Sequence, residues 1–294
     1  MQEFVELVIY GVMTGSVYAL IALAFTLIYK STGILNFAQG EFVMVGSFIF
    51  WTFLIQFGLP LWASIVLIFV AAGLIGFLAQ RLFLQPLIGQ PLLSAILITM
   101  ALSAMLSGMV AWLWGGLVRG YPGLLPVGGV HIGEIIISKQ YLFAFVACIV
   151  LLGIFMLIYQ RSKLGLAMRS VAEDHQVSRS LGIDVKKIFT ISWVLASIVS
   201  AVAGILFGSL FTVSQEMSTL GLRALPAVLL GGLESLYGAV IGGIIIGVVE
   251  KLASGYLNPL VGGGIEVAFT FMVMVIIVMI RPYGLFGLKK IERV

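Results

Sequence analysis

"LGLRALPAVLLGGLESLYG" (Leu220–Gly238) decides how this chain is threaded. The stretch is apolar, yet Pro226 and the Gly231–Gly232 pair interrupt it, so it is too short and too broken for a regular span of about 20 residues. Two readings follow. As a re-entrant loop it would leave the tail "RPYGLFGLKKIERV" (Arg281–Val294) on the outer side. As a half-helix that crosses as a discontinuous element, it puts the tail inside. Basic residues decide between them. With the crossing reading, Lys30, Arg81, Arg161, Lys163, Arg169, Arg179, Lys186, Lys187, Arg281, Lys289, Lys290 and Arg293 are cytoplasmic, and only Arg119, Lys139, Arg223 and Lys251 are outside. That bias is what the positive-inside rule requires. The N-terminus is then periplasmic and the C-terminus cytoplasmic.

Composition fixes the class. Of 294 residues, 61% are hydrophobic and 10% charged, where a soluble domain carries about 25% charged residues. Mean hydropathy is +1.19. The chain reads as an all-α integral membrane protein, a single transmembrane domain over 1–294. About eight spans are expected, near 6–29, 41–57, 61–80, 92–115, 140–160, 188–211, 237–254 and 264–281, plus the broken half-helix crossing. The first run follows the acidic "MQEFVE" and lacks the basic start of a secretory signal, so it is expected to be a retained span. The longest outer connection, about 117–138, is rich in Gly and Pro with short β-like runs and is expected to form an ordered cap. His131 lies in it as a surface histidine.

Glycine is abundant, with 35 residues, about 12% against a usual ~7%. Pairs four apart (Gly11 and Gly15, Gly204 and Gly208, Gly238 and Gly242, Gly243 and Gly247) predict close helix packing. Two places look different. One is the element around Pro226, Gly231 and Gly232. The other is "STGILNFAQGEF" (Ser31–Phe42), where Asn36, Gln39 and Glu41 crowd the start of an apolar run. Backbone breaks at membrane depth are tolerated only inside protein or beside a watery cavity, and they mark translocation pathways. Glu41 fits two readings, a helix-start charge or a pathway group. Ser16, Asn36 and Gln39 supply the few polar groups that a mostly apolar path would carry. Glu234, Glu250 and Glu266 fall at or near span ends, so no titratable relay is expected within the membrane.

"RSVAEDHQVSRSLGID" (Arg169–Asp184) is a polar island in the cytoplasmic connection of about 161–187. Its "SVAE" fits a capping box, Glu173 and Asp174 would sit in a first turn, Arg179 near the end, and Gly182 as the stop. A helix over about 171–181 is expected, too short to span, with Val177 and Leu181 as a small apolar stripe. It suits docking on a cytoplasmic partner; the alternative is a surface helix with no partner. The chain has no G-x-x-x-x-G-K-[ST] loop for a nucleotide's phosphates, no catalytic cluster, and too few Cys and His (Cys148, His131, His175) for a metal site. It is therefore not expected to be an enzyme. An ion-coupled secondary transporter remains the other class, with sparse intramembrane charge against it.

"GSVYALIALAFTLIYKSTGILNFAQGEFVMVGSF" (Gly15–Phe48), the polar island, and "LLGGLESLYGAVIGGIIIGVVEKL" (Leu229–Leu252) resemble the signature stretches of branched-chain amino acid ABC transporter permeases of the LivH type. The resemblance runs from about Gly11 to the "RPYGLFG" tail. It implies half of the translocation pathway of an importer in the bacterial inner membrane. The implied partners are a second, related permease, two ATPases and a periplasmic substrate-binding protein, with ATP and magnesium held by the ATPases and no cofactor in this chain. It further implies that Arg169–Asp184 is the element resting on an ATPase. Relatives of this kind also serve urea, short amides and aromatic acids. Glu234 and Tyr237 stand where the family often has a small residue and a proline.

Overall fold

Among the described residues, six helices are long and apolar enough to cross a membrane by length and composition. In the computed structural model, which describes residues 1–87, 90–133 and 135–287, these are α1 (Gln2–Thr32), α3 (Leu61–Leu78, continued by a π-helical turn to Leu84), α4 (Leu92–Trp114), α5 (Lys139–Arg161), α8 (Val185–Leu210) and α10 (Leu236–Tyr256). Three apolar helices are shorter: α2 (Gln39–Trp51), α9 (Leu220–Gly231) and α12 (Ile265–Ile280). Of the eight expected regular spans, 264–281 is a 16-residue helix, and 41–57 is α2 continued by a π-helical turn to Gln56, starting within the bundle rather than at its surface. Polar helices α6 (Lys163–Glu173) and α7 (His175–Ser180) and the turn α11 (Asn258–Val261) complete the set. Lys289, Lys290 and Arg293, counted above among the inner basic residues, lie outside the described residues.

The hydropathy pattern explains which helices lie inside. In α1 every residue from Met13 to Ile28 is buried, and a helix apolar on all faces has no solvent side to offer. It is the central helix. By contrast α3, α4, α5 and α12 leave Val70, Leu97, Phe143 and Met279 exposed, an apolar outer face suited to lipid.

Antiparallel α10 lies along α1 through a seam of small residues, with Gly255 at Leu7, Val248 at Gly11 and Gly243 at Gly15. A Cβ on Gly11 would stand 2.6 Å from Val248 Cα, and one on Gly15 2.8 Å from the Gly243 carbonyl oxygen. The glycine pairs read from the sequence therefore do bring backbones together, as packing among apolar helices demands.

The two ends of the chain repeat one plan. α3 lies on α8 as α10 lies on α1; α2 packs on α8 as α9 packs on α1; α4 meets α2 as α12 meets α9. α8 begins beside the end of α1, where His175 meets Ser31, so it runs the opposite way. The two halves are thus inverted copies, each a long helix, a break and a half-helix, with α5 between them. Inverted repeats with broken helices at their interface are a recurring transporter plan.

At one end of the bundle sits the expected cap. Strands β1 (Gly129–Ile132) and β2 (Ile135–Ser138) form an antiparallel hairpin, Gly129 opposite Ser138. Tyr10 fastens it to α1: its hydroxyl accepts from Ser138 N at 3.1 Å and donates to Ile136 O at 3.2 Å. His131 is exposed there. Arg119 pairs through its backbone with Val213, and buried Tyr121 bonds the Ser47 hydroxyl at 2.7 Å. The opposite end carries α6, α7 and the turn after α9.

The α1–α10 seam can be tested directly. Gly247→Leu is expected to lower the unfolding midpoint, since overpacking costs about 1–3 kcal/mol or more. Gly108, in α4, has open space around it, so Gly108→Ala should leave the midpoint unchanged or raise it by the helix preference of Ala. Thermal unfolding in detergent measures both, and equal midpoints would refute the seam.

Candidate functional site

The break after α1 and a second one at residues 211–219, ahead of the one expected at Pro226 and Gly231–Gly232, converge on one point. α1 ends at Gly33 in a left-handed cap, its N–H donating to Tyr29 O at 2.7 Å. The chain then turns back into the bundle before α2 starts. Asn36 and Gln39 are fully buried at that start. Asn36 Oδ1 accepts from Ala38 N at 3.1 Å, and Asn36 Nδ2 donates to Gln39 Oε1 at 3.1 Å. Gln39 Nε2 donates to Ser200 Oγ at 2.5 Å, roughly midway along the 26-residue α8. Glu41, in the first turn of α2, is also buried and accepts from Ser103 Oγ of α4 at 2.8 Å.

From the opposite end, residues 211–219 dip inward through a 3-10 turn (Gln215–Thr219) and α9 begins at Leu220. Gly221 lies against Gly40: a Cβ on Gly221 would stand 2.8 Å from Gly40 Cα, and one on Gly40 would run into the Ser218 carbonyl. Two half-helices therefore meet N-terminus to N-terminus in the interior.

The predicted pathway residues divide. Asn36, Gln39 and Glu41 share this junction. Ser16 does not; its hydroxyl donates to Met13 O at 2.6 Å within α1, far along the helix from the break. Pro226 does not break the chain as expected, because α9 runs unbroken through it. Pro226, the seventh residue of α9, forfeits one intrahelical hydrogen bond, and burial of Ala224, Pro226, Ala227 and Val228 holds the helix across it. Gly231 and Gly232 lie at the far end of α9. Gly231 touches Gly238, and Gly232, at φ 101°, turns the chain beside Gly287. The tail closes that end: Leu285 N donates to Leu230 O at 2.8 Å and Phe286 N to Gly231 O at 3.1 Å.

The polar island is two helices, not one. Ser170 lies inside α6 and donates to Leu166 O, so no capping box forms with Glu173, which ends α6. Ser162 caps α6 instead, accepting from Gly165 N at 2.9 Å. Asp174 caps α7, accepting from Gln176 N at 2.7 Å and Val177 N at 3.0 Å. The stronger cap one residue beyond Glu173 decides the start. Those two amides, Val177 first, hold the Asp174 carboxyl below its usual range. Asp184 caps α8 through Lys187 N, and that amide lowers its carboxyl too. Gly182, at φ 82°, ends α7 as expected, with Arg179 in the last turn.

Arg169 turns inward: it donates to the carbonyls of Tyr159 and Gln160 that α5 leaves unpaired, with its guanidinium over the Tyr159 ring. Glu173, Asp174 and Arg179 are exposed, as are Val177 and Leu181, 56% and 73%. His175 received no role in the sequence reading. Its Nε2 lies 3.2 Å from Ser31 O, and its ring packs edge-on to Phe189 at 5.3 Å. It thus ties α7 to the last turn of α1, just before the break.

A second feature escaped the sequence altogether. Between α1, α8, α10, α12 and the inward dip lies a cavity of about 360 Å³. Tyr18 OH, near the midpoint of the 31-residue α1, donates to Glu250 Oε1 at 3.0 Å, and Arg223 Nη1 lies 3.5 Å from the same oxygen. Side chains on antiparallel helices each lean toward their own N-terminus, which lets Tyr18 and Glu250 meet between their backbones. Glu250 is therefore a half-buried group facing a cavity within the bundle, where the sequence placed it at or near a span end. Glu216, Lys251 and Glu266 line the same cavity.

Discontinuous helices meeting inside an apolar bundle of inverted halves define an integral membrane transport protein. Residues 7–281 match the family of permease components of the branched-chain amino acid transport system, and the chain belongs to that family. It is a transport permease, not an enzyme. The high-affinity branched-chain amino acid transport system permease protein BraD of Pseudomonas aeruginosa is 30% identical over 99% of this chain and 98% of its own. The probable branched-chain amino acid transport permease protein LivH of Methanocaldococcus jannaschii is 31% identical over 96% of this chain and 93% of its own. Among solved structures, PsaBC from Streptococcus pneumoniae in complex with Fab aligns with a TM-score of 0.48 at 13% identity, over 93% of this chain and 91% of that one.

The α7 cap gives a pH-dependent prediction. A carboxyl held below its ordinary value favours the folded form above that value and loses the effect as pH falls through the lowered one. Protection of the His175–Ser180 amides, measured as their exchange relative to an unfolded chain at the same pH, should hold at neutral pH and fall once the pH drops below the usual carboxylate range and through the lowered value of Asp174. In Asp174→Ala the protection should be low throughout. Exchange indifferent to both changes would remove Asp174 as the cap.

Proposed function

We propose that this chain is the permease subunit of an ABC importer and forms half of a translocation pathway for leucine, isoleucine and valine. It works in the bacterial inner membrane beside a second, related permease. Two ATPases supply the energy and a periplasmic binding protein delivers the cargo. The branched-chain amino acid systems to which the relatives belong favour this over urea, short amides or aromatic acids. The crossing count is nine, made of seven continuous helices and two discontinuous ones, with the N-terminus periplasmic. The excess of basic residues on the α6–α7 side supports that orientation.

The observation that carries the coupling reading is the placement of α7. It exposes Val177 and Leu181 on one side, and on the other it holds Ser31 beside the α1–α2 break through His175. An ATPase pressing on Glu173–Gly182 would thereby move the entry to Asn36 and Gln39. A buried hydrogen-bonded trio of Asn36, Gln39 and Ser200 supports a small polar station in an otherwise apolar path.

ATP-dependent uptake by the reconstituted complex, with leucine and urea in competition, tests the reading. Leucine should accumulate, isoleucine and valine should compete, and urea should not. Leucine flux driven by an ion gradient without ATPases would sink it. Glu173→Lys or Gly182→Trp should abolish uptake while the chain stays inserted. Gln39→Leu should cut flux about tenfold or more, the scale of a buried amide partner left unpaired, with ATPase attachment kept; loss of assembly instead would make the trio purely structural.

A further inference from the structure

We propose that the cavity beside Tyr18 is a subsite for the charged head of a free α-amino acid, Arg223 receiving the carboxylate while Glu266 and Glu250 receive the ammonium. The inference rests on the reading of this chain as an amino-acid permease and adds to it a recognition step within the permease itself. The cavity, about 360 Å³, falls within the about 300–1,000 Å³ of small-molecule sites.

The chemistry of its walls is two-sided. Arg223 pairs with Glu250 at 3.5 Å, longer than a hydrogen bond, and its side chain remains 36% exposed. A guanidinium has five donors in a planar fork, so several remain to clasp a carboxylate by two parallel bonds. Glu250 Oε1 already takes the Tyr18 hydroxyl, which fixes it in place. Glu266 is the informative partner. Its Oε2 is buried and meets no hydrogen-bond donor among the described residues, a condition that an incoming ammonium relieves.

Phe207 and Phe211, with ring centroids 4.6 Å apart, form an apolar wall of the same cavity. Both signs of charge beside an apolar wall suit a zwitterion with an aliphatic side chain. Neutral urea would leave the carboxylate and the guanidinium without their partners, and sites built around such groups reject ligands that lack them.

The full-length chain in lipid nanodiscs, titrated with radiolabelled leucine, tests the subsite. Saturable leucine binding is expected, with leucinamide (no carboxylate), 4-methylpentanoate (no ammonium) and urea each competing about tenfold or more weakly, the scale of one lost charge-assisted pair. Glu266→Gln should weaken leucine binding to the same degree without shifting the unliganded unfolding midpoint, since it leaves the Arg223–Glu250 pair intact. Arg223→Gln should abolish binding and Arg223→Lys should restore part of it. No saturable binding at millimolar leucine, equal competition by leucinamide or 4-methylpentanoate, or unchanged affinity in Glu266→Gln would overturn the proposal. If the assembled complex carries leucine normally with Glu266→Gln, the subsite fails and the importer reading stands. If the wild-type complex carries urea and not leucine, the substrate reading fails as well.

Discussion

Everything else in this bundle is arranged around the contact of Gly40 with Gly221. There two helix N-termini meet inside the protein, and no side chain larger than hydrogen fits between them. Each N-terminus brings backbone N–H groups that no carbonyl of its own helix can satisfy, at a depth where water is scarce. The surrounding residues answer that demand. Asn36 Oδ1 takes the amide of Ala38, and Glu41 places a carboxylate in the first turn of α2. A negative charge beside a helix N-terminus is stabilising by about 0.3–1 kcal/mol, more where it is partly buried. Buried polar residues in so apolar a chain thus have a structural reason before any functional one.

The junction also explains the inverted plan. A half-helix that starts in the interior must be reached by a stretch of non-helical chain, and that chain must be enclosed by other helices. α8 encloses the approach to α2, and α1 encloses α9. The long helix of each half thus shields the break of the other. This is why α1 is buried on all sides from Met13 to Ile28 and why its contact with α10 needs glycine.

Much of this was legible in the sequence, and the misses have physical causes. Apolar runs of spanning length, glycines four apart and the break at Asn36 report local requirements of helices in lipid, so they can be read from a single chain. The second break was expected at Pro226 and Gly231–Gly232 and falls at 211–219 instead; that it touches the first could not be read, because some 180 residues separate them in sequence. Ser170 and Glu173 satisfied the spacing of a capping box, yet Asp174 was the better cap and α6 had already begun at Lys163. Pro226 looked like a breaker because a proline inside a helix forfeits a backbone bond, a local cost that the buried packing around α9 outweighs. Glu250 was placed near a span end from its position in the expected span 237–254, which ignored how far Tyr18 and Glu250 lean toward each other.

The pair of Arg223 and Glu250 would be costly in a dry interior, since desolvation of two charges offsets most of their attraction. It persists here because it faces a cavity, and the cavity exists because residues 211–219 dip inward instead of continuing α8 as a helix. They end in Met217 and Thr219, which line the cavity together with Leu220 of α9, and the next residue is Gly221 at the junction. At its other end α9 is held by the tail through Leu285 and Phe286. One short rigid helix therefore joins the charged cavity, the meeting point of the two breaks, and the end of the molecule that carries α6 and α7. Whatever changes the filling of the cavity acts on α9 at its first turn, and displacement of the tail acts on it at its last.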